Sequence, residues 1–160
     1  LPFKPDNGRQ EGYNAQFYAR DFPVLNDTYW LKPIIRGKVT VTRPTDITIA
    51  WDASSTAAGQ VDGLIFILPI RQSITVDSLF LDGEQVGVEL HSITNATFDY
   101  LKQVRDQSAN GGLLAIPMTN LRSNVTSNAS NNPKVLGYFG ASAVSRLETT
   151  VDASKARPED

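Results

Sequence analysis

The sequence contains no cysteine, one histidine (His91) and one methionine in 160 residues. Without thiols, disulfides, thiolate zinc sites and cysteine nucleophiles are excluded, and a single imidazole excludes two-histidine metal centres. The patterns His-Glu-x-x-His, Gly-x-Ser-x-Gly and Asp-x-Asp-x-Asp-Gly are missing, as is a glycine-rich loop ahead of a helix. No cofactor and no metal is therefore expected. No charge of one sign dominates: the net charge is -2 and the isoelectric point near 5.4. No face can gather the Lys and Arg excess that phosphate binding needs, so nucleic acid is not an expected partner. The longest apolar run, Leu64 to Ile70, breaks at Pro69 and falls far short of the ~18 residues of a membrane-spanning helix. The chain starts at Leu1 without the features of a signal peptide, so a mature or truncated fragment is expected, with any targeting segment outside it.

With 41% hydrophobic and 20% charged residues, the chain fits one compact domain burying roughly two thirds of its unfolded surface. Residues 1–12, with Pro2, Pro5, Asn7 and Gly8 among charges, read as a flexible arm or linker, and residues 152–160 as a flexible tail around a single domain at 13–151. Between these ends, runs rich in β-branched and aromatic residues alternate with turn residues: Tyr29 to Ile35, Lys38 to Thr42, Ile47 to Trp51, Leu64 to Ile70, Val76 to Leu81, Val86 to Ser92, Leu113 to Met118 and Val135 to Thr150. Such spacing predicts a mainly β domain, an antiparallel sandwich or a partly closed barrel. Ile47, Ile49 and Trp51 alternate with polar or small residues, as do Val86, Val88 and Leu90, so each run has one buried and one wetter face. Leu64 to Leu68 does not alternate and is expected at the sheet's centre. Asp82-Gly83 supplies the positive φ of a hairpin, which would make the Val76 and Val86 runs antiparallel neighbours.

One helix is strongly signalled over about 95–110. Thr94 serves as N-cap, Ile93 and Phe98 as a hydrophobic staple, and Gly111 as the left-handed residue past the end. Phe98, Tyr100, Leu101 and Val104 share one arc, with Asp99, Lys102, Gln103 and Asp106 on the other side. Gly137, Gly140, Ala141 and Ala143 lack bulk, which suits a closing strand that lies against that helix.

Candidate chemistry is sparse. His91 lacks sequence partners for a triad and reads as structural or exposed. Asp46, Asp52, Asp62, Asp77 and Asp82 near strand ends read as turn residues rather than calcium ligands. Glu89 is the first acid to consider for hydrolytic chemistry, followed by Asp52. Trp30, Trp51, Tyr29, Tyr138 and Phe139 could stack on a sugar or an apolar ligand, with core packing as the competing explanation for each. The candidate ligand-binding residues are Trp30, Trp51, Asp52 and Asp62, the acids bounding a Ser-, Ala- and Gly-rich loop. Asn120 to Pro133 reads as a mobile polar loop. Asn26, Asn95, Asn124 and Asn128 begin Asn-x-Ser/Thr patterns, which arise often by chance in such a sequence.

Several of these landmarks occur together: Asp27-Thr28-Tyr29-Trp30, Asp62-Gly63 before an apolar run, Val86 to Ile93 leading into Phe98-Asp99-Tyr100-Leu101, and Val135 to Phe139 with Ala141 to Ser145. In combination they resemble the C-terminal portion of the Bacteroidetes lipoproteins of domain-of-unknown-function family 4249. The resemblance implies a cell-envelope protein, anchored to the outer membrane through a lipidated cysteine and carrying an N-terminal β domain, both expected outside this chain. It also implies a TonB-dependent outer-membrane receptor and a small nutrient or glycan as partners. It brings no catalytic residues. The expectation is thus a non-catalytic binding or accessory domain. The alternative is a carbohydrate- or ester-active hydrolase using acids such as Glu89 or Asp52.

Overall fold

The computed structural model describes residues 12–15, 17, 19, 27–41, 43–51, 79–109, 121, 123–130, 135 and 137–156. They form an open, antiparallel five-stranded sheet with one helix, in keeping with the mainly β expectation and with a sandwich. Strands β1 (Thr28–Ile35), β2 (Lys38–Val39), β3 (Thr48–Trp51), β4 (Gln85–Ile93) and β5 (Ala143–Thr150) accompany helix α1 (Asn95–Ala109). The order is β2-β1-β4-β5, and β3 pairs with the same strand as β2.

Strand β1 organises the sheet. Arg36 and Gly37 both have positive φ (51° and 75°), the geometry of a two-residue hairpin whose twist matches its strands, so Ile35 faces Lys38. The chain then turns through Pro44–Asp46 and returns as β3, with Tyr29 opposite Ala50 and Trp30 opposite Ile49. Along its other edge β1 pairs with β4 from Thr28↔Ile93 to Ile35↔Val86. On one face Tyr29, Leu31 and Ala50 are buried together against Phe17, Ala19 and Leu90; on the other, Ile47, Ile49, Ile93 and Leu101 are buried against Trp30, Phe98, Tyr100 and Val104.

Helix α1 covers that second face over β1 and β3. Its start is the one the sequence signals. The Thr97 amide donates to Thr94 Oγ1 at 3.2 Å, the Phe98 amide to the Thr94 carbonyl at 2.9 Å, and Ile93 and Phe98 share a cluster. Gly111 lies outside the described residues. Leu101 is buried at the centre of the apolar arc. Gln103, expected on the solvated side, is half-buried with its amide oxygen unpartnered. It sits only about 60° around the axis from Tyr100, at the border of the packed arc.

Three expectations are corrected. Both edges of β4 are occupied, by β1 and by β5, so Leu79 to Leu81, the described end of the Val76 run, is not its paired neighbour. Gly83 does have the positive φ (81°) expected of that turn, but Phe80 before it forms an isolated bridge with Tyr13. The last strand begins at Ala143, not Val135, because side chains of Ser123 and Asn124 take the place of a neighbouring strand along Gly137 to Phe139. The face of β4 carrying Gly87, Glu89 and His91 is not simply the wetter one: His91 is 8% exposed, since the second face is covered beside it. The Leu64 to Ile70 and Leu113 to Met118 runs, most of Val76 to Leu81, residues 52–62 and the 1–11 arm fall outside the described residues. Residues 153–155 of the expected tail form a 3-10 turn, held by the Ala153 amide donating to Asp82 Oδ1 at 2.8 Å.

Candidate functional site

Two adjoining groups of side chains, both on the helix-bearing face, concentrate the features that can do chemistry. Directly opposed residues of antiparallel strands share a face, so the register builds rows across the sheet. One row is Ile49, Trp30, His91, Val144; the next is Lys32, Glu89, Arg146.

In these rows His91 lies between Ser142 and Glu89. Its Nδ1 is 2.9 Å from Ser142 Oγ and its Nε2 3.1 Å from Glu89 Oε2. An ionised carboxylate only accepts, so Nε2 carries a proton toward Glu89, and in the neutral ring Nδ1 is left to accept from the Ser142 hydroxyl. Glu89 Oε1 also accepts from Arg146 Nη1 at 3.0 Å, and Arg146 pairs in turn with Glu148. The hydrogen bond from His91 holds the Glu89 carboxyl below its ordinary 4.5, and the charges of Arg146 and Lys32 add to this against the opposing effect of burial. Lys32 Nζ lies 3.8 Å from the Trp30 ring centroid, and Trp30 packs tilted on the His91 ring at 5.7 Å. Gly87 is required here: a methyl group in its place would collide with the Leu147 carbonyl, keeping β5 and its Arg146 away from β4.

Ser, His and Glu are thus brought together as a proton-accepting chain, which gives Ser142 a base and that base an orienting acid. The order around the ring is unlike that of the serine-protease triad, in which the Nε2 nitrogen faces the serine. Gly140-Ala141-Ser142-Ala143-Val144 carries the first glycine of a nucleophile elbow and valine in place of the second. Arg146 also draws on the charge with which Glu89 would stabilise an imidazolium. A shallow depression of about 640 Å³ lies at the other end of β5, lined by Asp82, Gly83, Thr149, Thr150, Val151, Asp152 and Lys155.

The second group surrounds the first turns of α1. Trp51, 37% exposed, meets the Phe98 ring edge-on at 4.7 Å, and Tyr138 stacks on Tyr100 at 4.2 Å while its hydroxyl lies 3.3 Å from Thr97 Oγ1. Next in the chain, Phe139 is 76% exposed. Its backbone is nevertheless fixed. Asn124 Oδ1 accepts from the Phe139 amide and Asn124 Nδ2 donates to the Phe139 carbonyl, both at 2.7 Å. Ser123 Oγ donates to the Gly137 carbonyl at 2.8 Å. The loop expected to be mobile therefore contains a side-chain clamp, and the Asn124 amide is occupied in it.

Of the rings and acids singled out by sequence, Tyr29 is wholly core, Trp30 is half-buried beside His91, Trp51 and Tyr138 pack against rings of the helix, and Phe139 is exposed. Asp52 and Asp62 lie outside the described residues. No group of three or more metal-ligating side chains occurs among the described residues, and no described helix is long and apolar enough to cross a membrane. Ser142, Arg146 and Lys32 were not singled out by sequence as partners of His91 and Glu89. Their signal is period-two spacing, readable only once the β1, β4 and β5 registers are known.

An open antiparallel sheet with one packed helix defines a mainly β domain. The chain belongs to the family described as Domain of unknown function (DUF4249), whose profile matches residues 3–148. Among curated proteins and among solved structures, none matches it.

Proposed function

We propose that this domain is a non-catalytic binding module that presents the exposed ring of Phe139, carried on a clamped backbone, to a partner. The observation that carries the reading is the clamp on Phe139. Holding its backbone at both polar groups removes ordering cost before a ligand arrives, so the exposed ring is offered from a fixed position. Flat rings of this kind suit a glycan or small nutrient, or the surface of a receptor. The family resemblance supports the wider setting: an exported lipoprotein anchored to the outer membrane and assisting a TonB-dependent uptake system. The test is co-purification from the native envelope of the full-length protein, wild type and Phe139→Ala. The proposal expects a TonB-dependent receptor with the first and its loss with the second; no receptor with either refutes it.

A second reading, an ester-active hydrolase, is favoured by the placement of His91 between Ser142 and Glu89. It requires that a fluorophosphonate label Ser142 and that p-nitrophenyl acetate be turned over by the wild type but not by Ser142→Ala. An unlabelled Ser142 ends it.

A further inference from the structure

Strand β5 forms the border of the described sheet, paired with β4 alone among the described residues, and every one of its eight residues is exposed. An edge of this length offers free amide and carbonyl groups to another strand, and natural edges are blunted by proline, by charged side chains, lysine above all, or by a bulge. The sequence Ala143-Val-Ser-Arg-Leu-Glu-Thr-Thr150 has no proline or lysine, its two charges, Arg146 and Glu148, are of opposite sign, and its ladder to β4 is unbroken from Gln85↔Thr150 to Ser92↔Ala143. It also carries apolar side chains on both faces, Val144 at 50% and Leu147 at 62% exposure. Leu147 lies beside buried Val88, so the apolar face of the sheet continues onto the edge strand without its cover.

We propose that β5 pairs antiparallel with β5 of a second copy of this chain, about a two-fold axis through Leu147. The argument is the self-complementarity of the strand. Opposed residues in an antiparallel pair share a face, so a strand pairing with its own copy must centre on one residue. Centred on Leu147, the register sets Leu147 against its equivalent, Arg146 against the second copy's Glu148 twice, Ser145 against Thr149 and Val144 against Thr150. Centred on Arg146 it would oppose two guanidinium groups and set Val144 against Glu148; centred on Glu148 it would oppose two carboxylates. Only the Leu147 register joins apolar to apolar and opposite charge to opposite charge. It also extends the row Lys32, Glu89, Arg146 with the second copy's Glu148, so that signs alternate across the joint.

The absence of native cysteine makes the test clean. In this register Leu147→Cys places two thiols directly opposite, within the ~4.4–6.8 Å Cα spacing of a disulfide, whereas two copies of Val144→Cys stand six residues out of register, roughly 20 Å apart. Under mild oxidation Leu147→Cys is expected to form a covalent dimer at least tenfold faster than Val144→Cys. Unmodified protein should rise from 17.5 kDa toward twice that mass between ~1 and ~100 μM in sedimentation equilibrium, the behaviour of a small interface. Leu147→Lys and Leu147→Glu should each stay monomeric and, mixed in equal amounts, dimerise. A monomer throughout that range, equal cross-linking at both positions, or self-association of Leu147→Lys like that of wild type overturns the proposal. Because Leu147 is largely exposed, these variants are expected to melt within a few degrees of wild type, which circular dichroism checks.

Discussion

Replacing Asn124 with alanine removes both hydrogen bonds that hold the Phe139 backbone and nothing of the core. Each neutral hydrogen bond contributes about 1 kcal/mol net, and at an exposed site the released groups return to water, so the local segment should lose about 1–2 kcal/mol. Since 1.4 kcal/mol is a factor of ten, hydrogen exchange at the Phe139 amide should accelerate about 5- to 30-fold. The global melting transition should move little, because exposed substitutions away from the core usually stay within about 0.5 kcal/mol. Asn124→Asp sharpens the measurement: it keeps an acceptor for the Phe139 amide but loses the donor to its carbonyl, so its exchange rate should fall between wild type and Asn124→Ala. The assay is residue-resolved hydrogen exchange by NMR. Unchanged exchange at Phe139 in Asn124→Ala would show that the clamp does not hold this backbone in place, and the preorganisation argument would fail with it.

Leu101→Ala should cost about 2–4 kcal/mol in urea unfolding, since Leu101 fills the junction between α1 and the Ile49 and Ile93 side chains; a loss under about 1 kcal/mol would mean the helix is not packed as described. Gly87→Ala should cost about 1–3 kcal/mol by forcing β5 off β4, seen as loss of amide protection along Ala143 to Thr150, while protection at the far side of the sheet persists. Glu89 has its folded pKa below the ordinary value, so its ionised form contributes stability above that ordinary value, and the contribution is lost as pH falls through the lowered one. Asp152, held at about 2 mainly by the Ser154 hydroxyl, behaves in the same way between the ordinary 3.8 and about 2. Glu89→Gln and Asp152→Asn should therefore flatten the acid limb of the stability profile, and an unchanged limb in both would refute the assignment.

The parts of this fold that were legible in the sequence are those set by local rules. Thr94, Ile93 and Phe98 announce the helix because capping and stapling act within one turn. Tyr29 to Ile35 and Val86 to Ser92 announce strands because β-branched and aromatic residues fit a pleated surface. What could not be read depends on partners distant in sequence. The Asp82-Gly83 pair predicts a turn, and a turn is found, but which strand flanks β4 is decided by β1 and β5 claiming its two edges. The polar run around Ser123 and Asn124 has loop composition, and only the approach of Gly137 to Phe139 reveals that those side chains stand in for a strand. His91 was similarly opaque, because Ser142 is 51 residues away and reaches it through the β4–β5 register.

The central claim, that the exposed Phe139 ring on its clamped backbone holds a partner in a domain that does not transform it, is tested most directly by capture. Full-length protein immobilised as wild type, Phe139→Ala or Ser142→Ala would be exposed to detergent-solubilised outer membranes from the native cell, and bound TonB-dependent receptor quantified by mass spectrometry. The account predicts capture by wild type and Ser142→Ala and a loss of at least tenfold with Phe139→Ala. Equal capture by all three would contradict it.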